Sequence, residues 1–544
     1  MLKTYVFPEY AYRQSLEQRS RLAERRPLVI VGAGPVGLTA ALDAAQRGIP
    51  VVVLDDNNTV SQGSRALCYA KRTLEIWDRL GVGEAVTAHG VRWQVGKVFF
   101  KDELAYQFNL LPEDQHKLPA MVNLQQYHLE EKLVRACQLQ PLIELRWKHR
   151  LIGICPVVIP AQAGSQQAGE RSLDARLRGH DDGVNLTVQT PDGVFGMRAD
   201  WLIACDGAGS DTRGLMGLDF EGQVFEDRFL IADVVMKGEH FPPERWFWFD
   251  PPFHPGQSVL LHKECDGVWR IDFQLGHDAD AAEEKKPERV IPRIQAMLGP
   301  DAVFELEWVS VYQFACRRMQ SFRHGRVLFA GDAAHQVSPF GARGANSGVQ
   351  DVDNLIWKLA AVIKGEAPDA LLDSYHAERA VAADDNIRQS TRATDFISPK
   401  TRASLRLRNA VLSLAKTEPF ARPLVNSGRL SMPTPYVDSA LLTADEDEFA
   451  GGVAPGCPAV DAPLREGWLL EKLGRGFVLL SFGEVASTLP TVVAEGGLLA
   501  QRYDAQPGTC YLIRPDQYVA ARWRSFDAAK VAAALQRSLG DIRC

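Results

Sequence analysis

The feature that most constrains this chain is a glycine-rich turn set between a strand and a helix. LVIV, Leu28 to Val31, runs into GAGPVG, then into a small-residue helix from Pro35 to Arg47 that Gly48 stops, and then into a second strand, Val51 to Leu54. Within the turn, Gly32, Gly34 and Gly37 supply the GxGxxG pattern, with Ala33 and Pro35 between them, and Asp55 closes the next strand. Each part has a physical purpose: a turn without side chains, close backbone approach to a pyrophosphate, an anion at a helix N-terminus, and an acid for ribose hydroxyls. Glycines alone are a weak signal, but both strands, the helix and the acid stand in register. The acid favours free ribose hydroxyls, so the expected dinucleotide is FAD or NAD and not NADP.

A second glycine-rich turn, FAGDAAHQVSPFGARGANSGVQDVDNL, spans Phe329 to Leu355 and enters another helix. One chain holding two such turns holds either one long cofactor at two places or two cofactors. At 544 residues it has room for roughly three domains. A net charge of -7 offers no basic field for nucleic acid. No run of about 18 apolar residues suggests a membrane span, and the N-terminus has no secretory pattern, so a cytoplasmic protein is expected. The nine cysteines form no CxxC pair and no metal-ligand spacing, which argues against a disulfide framework and a metal site.

The order of elements predicts an α/β fold. A polar extension, 1–26, expected to be helical, precedes a Rossmann-like domain whose first part is 27–219. Residues 156–183 interrupt that part as an inserted loop. From 220 to 324, aromatic and β-branched runs such as RWFWFD, SVLLHKE and VWRIDFQL predict an antiparallel sheet, the natural wall of a substrate pocket. The dinucleotide domain resumes over 325–400, a helical linker covers 401–449, and a small α/β module covers 450–544.

GAGPVGLTAA, SRALCYAKRTLEIWDRLG, CDGAGSDTR and GDAAHQVSPFGARGANSGVQDVDNLIWKL, in this order, resemble the FAD-dependent aromatic hydroxylases of the p-hydroxybenzoate hydroxylase fold. The nearest-looking branch contains phenol hydroxylase and 3-(3-hydroxyphenyl)propionate hydroxylase, and implies a C-terminal thioredoxin-like module, here without CxxC. The resemblance implies FAD held at both ends. Gly32, Gly34 and Gly37 would lie on its pyrophosphate and Asp55 on the adenosine ribose. Arg65 would reach the flavin region, Gln126 the ribityl chain, and Asp206 the pyrophosphate region linked to transient nucleotide binding. Gly331 and Asp332 would hold the ribityl end, with Gly344, Ala345 and Asn346 against the pyrimidine ring.

The implied reaction is reduction of FAD by NADH or NADPH, addition of O2 at flavin C4a, and oxygen transfer to a small phenol, by a protein that could form a homodimer. Arg270, Tyr69 and His262 are the candidate groups for sharing the phenol proton, with His254 and Asp272 behind them. Arg343 stands where the family often has Gln, facing either the flavin or solvent. Competing readings are a nitrocatechol-type monooxygenase that expels a ring substituent, a flavin-dependent halogenase suggested by Trp246-Phe247-Trp248, and a non-catalytic binding module of the same fold.

Overall fold

The computed structural model describes residues 2–20, 24–63, 65–156, 183–238, 241–276, 278–425 and 430–541. The inserted loop expected over 156–183 therefore lies almost wholly outside the described residues. Among its described residues, the N-terminal extension, expected to be helical, carries one short helix, Leu16–Ser20, preceded by a non-helical segment. Tyr5 stacks on Tyr127 and Tyr10 on Trp147, so aromatic contact substitutes for regular structure there.

Five parallel strands form the heart of the first sheet, in the order Ile143–Trp147, Val51–Asp55, Arg25–Val31, Gly193–Ala204, Val327–Phe329. Their inner residues are apolar on both faces, as a sheet covered on two sides requires, and Leu28 to Ile30 and Leu202 to Ala204 are wholly buried. The helix Pro35–Gln46 starts on Gly34 with Pro35 in its first turn, where proline loses no hydrogen bond. It ends before Gly48, whose φ of 79° suits a helix stop. Its alanines let it lie close to the sheet and to the long helix Gly344–Ile363.

The second sheet has eight strands, in the order His335–Gln336, Phe304–Met319, Phe220–Met236, Val268–Gln274, Ser258–Lys263, Arg245–Phe249, Val95–Phe100, Glu103–Asn109. The last two were expected in the dinucleotide domain. Val95–Phe100 instead runs parallel to Arg245–Phe249, Gly96 opposite Arg245, and extends the pocket wall. Alternation gives this sheet two unlike faces. One is apolar: Trp248, Leu261, Trp269, Ile271 and Val234 pack with Val290 and Ile294 of the helix Pro287–Leu298. The other carries Asp233, Arg270, His262 and Arg245 along one cross-strand row.

The C-terminal region forms a four-stranded mixed sheet, Thr491–Val493, Val478–Ser481, Cys510–Ile513, Val519–Trp523, backed by the helix Ala528–Ser538. It is joined to the rest by buried charges. Arg514 donates to both oxygens of Glu378 at 2.7 and 2.9 Å and to Asp516 at 2.6 and 3.0 Å, while the Lys358 ammonium donates to Glu378 at 2.7 Å. Burial alone would raise the Glu378 pKa; Arg514 and then Lys358 overcome it and hold the carboxyl well below its ordinary range.

Candidate active site

The two glycine-rich turns meet. Val36, in the first turn of its helix, touches both: a Cβ on Gly331 would lie 3.0 Å from its side chain, and one on Gly348 only 2.6 Å away. The first turn is closed where it packs and open where a ligand would lie. A Cβ on Gly32 would meet the Cys205 carbonyl at 2.4 Å and one on Gly37 the Gly32 carbonyl at 2.0 Å, yet one on Gly34 would meet nothing within 4 Å. Asp55 accepts the Ala33 N–H at 2.7 Å and the Asn57 N–H at 2.9 Å; burial, opposed by those bonds, raises its pKa to about 6. The glycines, the helix N-terminus and the acid therefore converge at the carboxyl ends of the parallel strands, where open α/β sheets bind nucleotides.

The second turn is braced from beneath. Asp351 accepts from the Gly331 N–H at 2.9 Å, His335 at 2.7 Å and Arg379 at 2.7 Å. His335 is thus a buried strut of the turn, while Asp332 stays exposed toward the cleft. Asn346 secures the neighbouring strand, accepting from the Ala70 N–H and donating to the Cys68 carbonyl, each at 2.8 Å. Gly344, Ala345 and Asn346 begin the helix Gly344–Ile363, so their N–H groups have no carbonyl four residues back to bond. With the helix dipole, they favour negative charge beside them.

Gln126 opens the helix Gln126–Gln138, accepts the Ala66 N–H at 3.0 Å and donates to Ser61 and Glu130. It fixes the loop that carries Arg65, whose side chain is exposed and whose carbonyl accepts from Arg270 at 3.0 Å. Asp206 is turned into its own strand-to-helix turn, accepting from Ser210 and from the Thr212 N–H.

The proposed proton-sharing groups fare differently. Tyr69 is fully buried against Trp77, its hydroxyl 3.5 Å from the Ala66 carbonyl, and burial pushes its pKa far above the ordinary value; it is a core residue here. His262 is buried, and burial, with Arg245 and Arg270 adding, lowers its pKa well below the ordinary value, which keeps it neutral. Arg270 is bound bidentately to Asp233 at 2.9 and 3.2 Å and lies 3.0 Å from Glu264, so it positions the Arg65 loop. His254 bonds the Gln274 carbonyl at 2.7 Å. Asp272, two residues along the Arg270 strand and on the same face, has Oδ1 without a hydrogen-bond partner, and burial, opposed by Arg270, raises its pKa to about 7. Its strand position alone does not distinguish it from Arg270; only the fold shows which of the two is paired.

Phe247, Phe249, Phe340 and Phe108 line a cavity between this sheet face and the helices beyond it, and Arg245 and Arg343 reach the same space. Arg343 is buried, donates to the Phe340 carbonyl at 2.6 Å and folds over Gly341, where a Cβ would lie 2.0 Å from its guanidinium. The alternative of a solvent-facing Arg343 is thereby set aside. Trp246 and Trp248 stand on the opposite, apolar face, so the tryptophans of the WFW run are packing, and Phe247 between them is the member that lines the cavity.

Comparison with known proteins agrees with this geometry. A family model described as "FAD binding domain" matches residues 25–390. The chain is 31% identical to a 6-methylpretetramide 4-monooxygenase of Streptomyces rimosus, over 94% of each chain. It is 29% identical to a 3-(3-hydroxy-phenyl)propionate/3-hydroxycinnamic acid hydroxylase of Mycolicibacterium smegmatis, over 85% of this chain and 78% of that one. The flavin-dependent monooxygenase PieE, solved with FAD and substrate, superposes with a TM-score of 0.76 at 21% identity, covering 95% of this chain and 99% of that one. The chain belongs to this FAD-binding family, and within it to the flavin-dependent aromatic monooxygenases. Its cofactor is FAD, and the open space at Gly34, the half-buried Asp55 and the unbonded N–H groups at Gly344 fit it. Among the described residues, no helix is long and apolar enough to cross a membrane.

Proposed function

We propose that this protein hydroxylates a small phenolic substrate with O2 and NADH or NADPH. The observation that carries the proposal is the placement of an aromatic-lined cavity against a sheet face that bears Asp272, Arg270 and Arg245, next to the second glycine-rich turn. Gly32, Gly34 and Gly37 would hold the pyrophosphate, Asp55 the adenosine ribose, Gln126 and Asp332 the ribityl chain, and the helix start at Gly344 the pyrimidine end. FAD, when bound, supplies the redox chemistry, taking two electrons from the nicotinamide nucleotide and delivering one atom of dioxygen to the ring while the other leaves as water.

The protein's own groups orient and exclude. The N–H groups at Gly344, Ala345 and Asn346 and the helix dipole stabilise negative charge next to them. Phe247, Phe249 and Phe340 keep water from the ring. A free phenol ionises near pH ~10, so it reacts as phenolate only where a group takes its proton. Asp272 is suited to this: it lies beside Arg270, has an unbonded oxygen, and burial pushes its carboxyl up to about 7. Tyr69 and His262 do not serve, one because it is sealed in the core and the other because its proton affinity is too low.

The test is a screen of phenols, hydroxyphenyl acids and nitrocatechols for substrate-stimulated NAD(P)H consumption, with ¹⁸O2 product analysis. Incorporation of one labelled atom into the ring is expected. A purified protein that takes up no FAD, or consumes O2 without labelling any aromatic product, would overturn the proposal.

A further inference from the structure

A hairpin turn of the second sheet gathers four metal-binding side chains that take no part in the site described above. The strands Ser258–Lys263 and Val268–Gln274 are joined through Cys265, Asp266 and Gly267, and the Val268 N–H closes the turn on the Cys265 carbonyl at 3.1 Å. Asp266 and Gly267 have φ of 57° and 72°, the left-handed pair that a two-residue hairpin turn requires. The turn faces two helices of the dinucleotide domain: His89 ends Gly83–His89, and His128 lies in the first turn of Gln126–Gln138. One donor atom from each of His89, His128, Cys265 and Asp266 lies within 4.8 Å of all the others.

These spacings are close to those of a tetrahedral zinc site. Bonds of about 2.3 Å to sulfur and about 2.0–2.1 Å to nitrogen or oxygen set neighbouring donor atoms about 3.3–3.6 Å apart. The Cys265 sulfur is 3.5 Å from Asp266 Oδ2, and His89 Nε2 is 3.6 Å from Asp266 Oδ1. His128 Nε2 lies 2.8 Å from Asp266 Oδ2, a hydrogen bond whose proton a metal ion replaces. One thiolate, one carboxylate and two neutral imidazoles cancel the charge of a divalent ion, so the filled site buries no net charge. Sulfur and imidazole select zinc over magnesium or calcium.

The surroundings are built for the same purpose. Gln125 is 2% exposed, accepts from the Cys265 thiol through Oε1 at 2.7 Å, and has an Nε2 with no hydrogen-bond partner. Turning that amide over breaks no bond except the one to the sulfur, and presents an N–H donor to a thiolate in its place. The Tyr5 ring packs edge-on against His128 at 4.8 Å between centroids, which fixes the imidazole. His89 and Asp266 keep side-chain exposures of 31% and 37%, an entry path from solvent. The sequence-based expectation of no metal site rests on spacing along the chain, and these four ligands come from three elements far apart in it.

We infer that His89, His128, Cys265 and Asp266 form a structural zinc site that ties the second sheet to two helices of the dinucleotide domain. Binding forms a zinc–sulfur bond and releases the Cys265 thiol proton to water, with no change of oxidation state. The Asn123 amide, which donates to the Lys263 carbonyl at 2.9 Å, spans the same junction.

The test uses the untagged, FAD-loaded full-length protein, stripped with EDTA and titrated with Zn²⁺ against a chromophoric chelator. One zinc per chain is expected, with a Kd below about 1 µM. Cys265→Ser and His89→Gln should each weaken binding at least about 100-fold, and Gln125→Leu about 10-fold. Cys155→Ser, which removes an exposed thiol elsewhere, should change nothing. X-ray absorption at the zinc edge of wild type should show one sulfur at about 2.3 Å and three lighter ligands at about 2.0–2.1 Å. Flavin content separates a lost ligand from a lost fold; His89, at the rim, is the substitution least able to disturb packing, and the wild-type spectrum needs no variant. Zinc binding weaker than about 100 µM would overturn the inference. So would tight binding unchanged in Cys265→Ser and His89→Gln, or a zinc spectrum without sulfur.

Discussion

Two buried groups of charges in this protein follow opposite rules. At the junction with the C-terminal module, Arg514, Lys358 and Glu378 answer one another at 2.7–2.9 Å, and Asp516, Asn354 and Ser439 take up remaining bonds. On the polar face of the second sheet, Arg245 and Asp272 each keep an atom with no partner. Both regions are desolvated, so burial does not separate them. The difference is completeness: a finished network holds two parts of a fold together, whereas an unfinished one is completed by whatever enters.

The largest effect comes from opening the finished network. Glu378→Gln leaves Arg514 and Lys358 buried with half their countercharge, and should cost about 3–5 kcal/mol in urea unfolding. Because Glu378 is held below its ordinary value of 4.5, its stabilisation is present above that pH and lost as pH falls through the depressed folded value. The variant should therefore show a flatter acid limb, and an unchanged limb would mean that the network is idle.

Asp272 gives the next effect. As a proton acceptor near 7, it should produce a rising limb of kcat/KM around neutral pH, and Asp272→Asn should remove the limb and lower the rate by about 100-fold at pH 8. Its folded pKa lies above the ordinary 3.8, so it draws stability down as pH climbs from about 4 to 7. The variant should lose that decline. A retained limb would return Asp272 to the ranks of structural acids.

A smaller effect contrasts closed and open glycines. Gly348→Val drives a side chain into Val36 and the Gly331 backbone, and should cost about 1–3 kcal/mol in the FAD-free protein. Gly34→Ala meets nothing within 4 Å, so it should leave that stability alone and lower FAD retention, read from flavin absorbance after dialysis.

Much of this was legible in the chain. The strand, GAGPVG, helix, strand unit and the aromatic strands of the second sheet declare themselves because local pattern and tertiary role coincide. Val95–Phe100 and Glu103–Asn109 did not, since nothing local says which sheet a strand will join. Tyr69, His262 and Arg270 looked alike as polar residues near the pocket, and only packing shows one in the core, one neutral and one already paired. The isolation of Arg245 could not be read at all, because a missing partner is a property of three dimensions. In sequence it stood unremarked before the WFW run, whose tryptophans turned out to face away from the cavity.

The most direct test of the contrast is urea unfolding of Arg245→Met beside wild type, both FAD-loaded and free of aromatic ligand. An arginine without a partner should be replaced at a change within about 1 kcal/mol, or with a gain, because a costly lone charge gives way to an apolar side chain. A loss of about 3–5 kcal/mol, matching Glu378→Gln, would show that Arg245 is part of a finished network and would contradict the account.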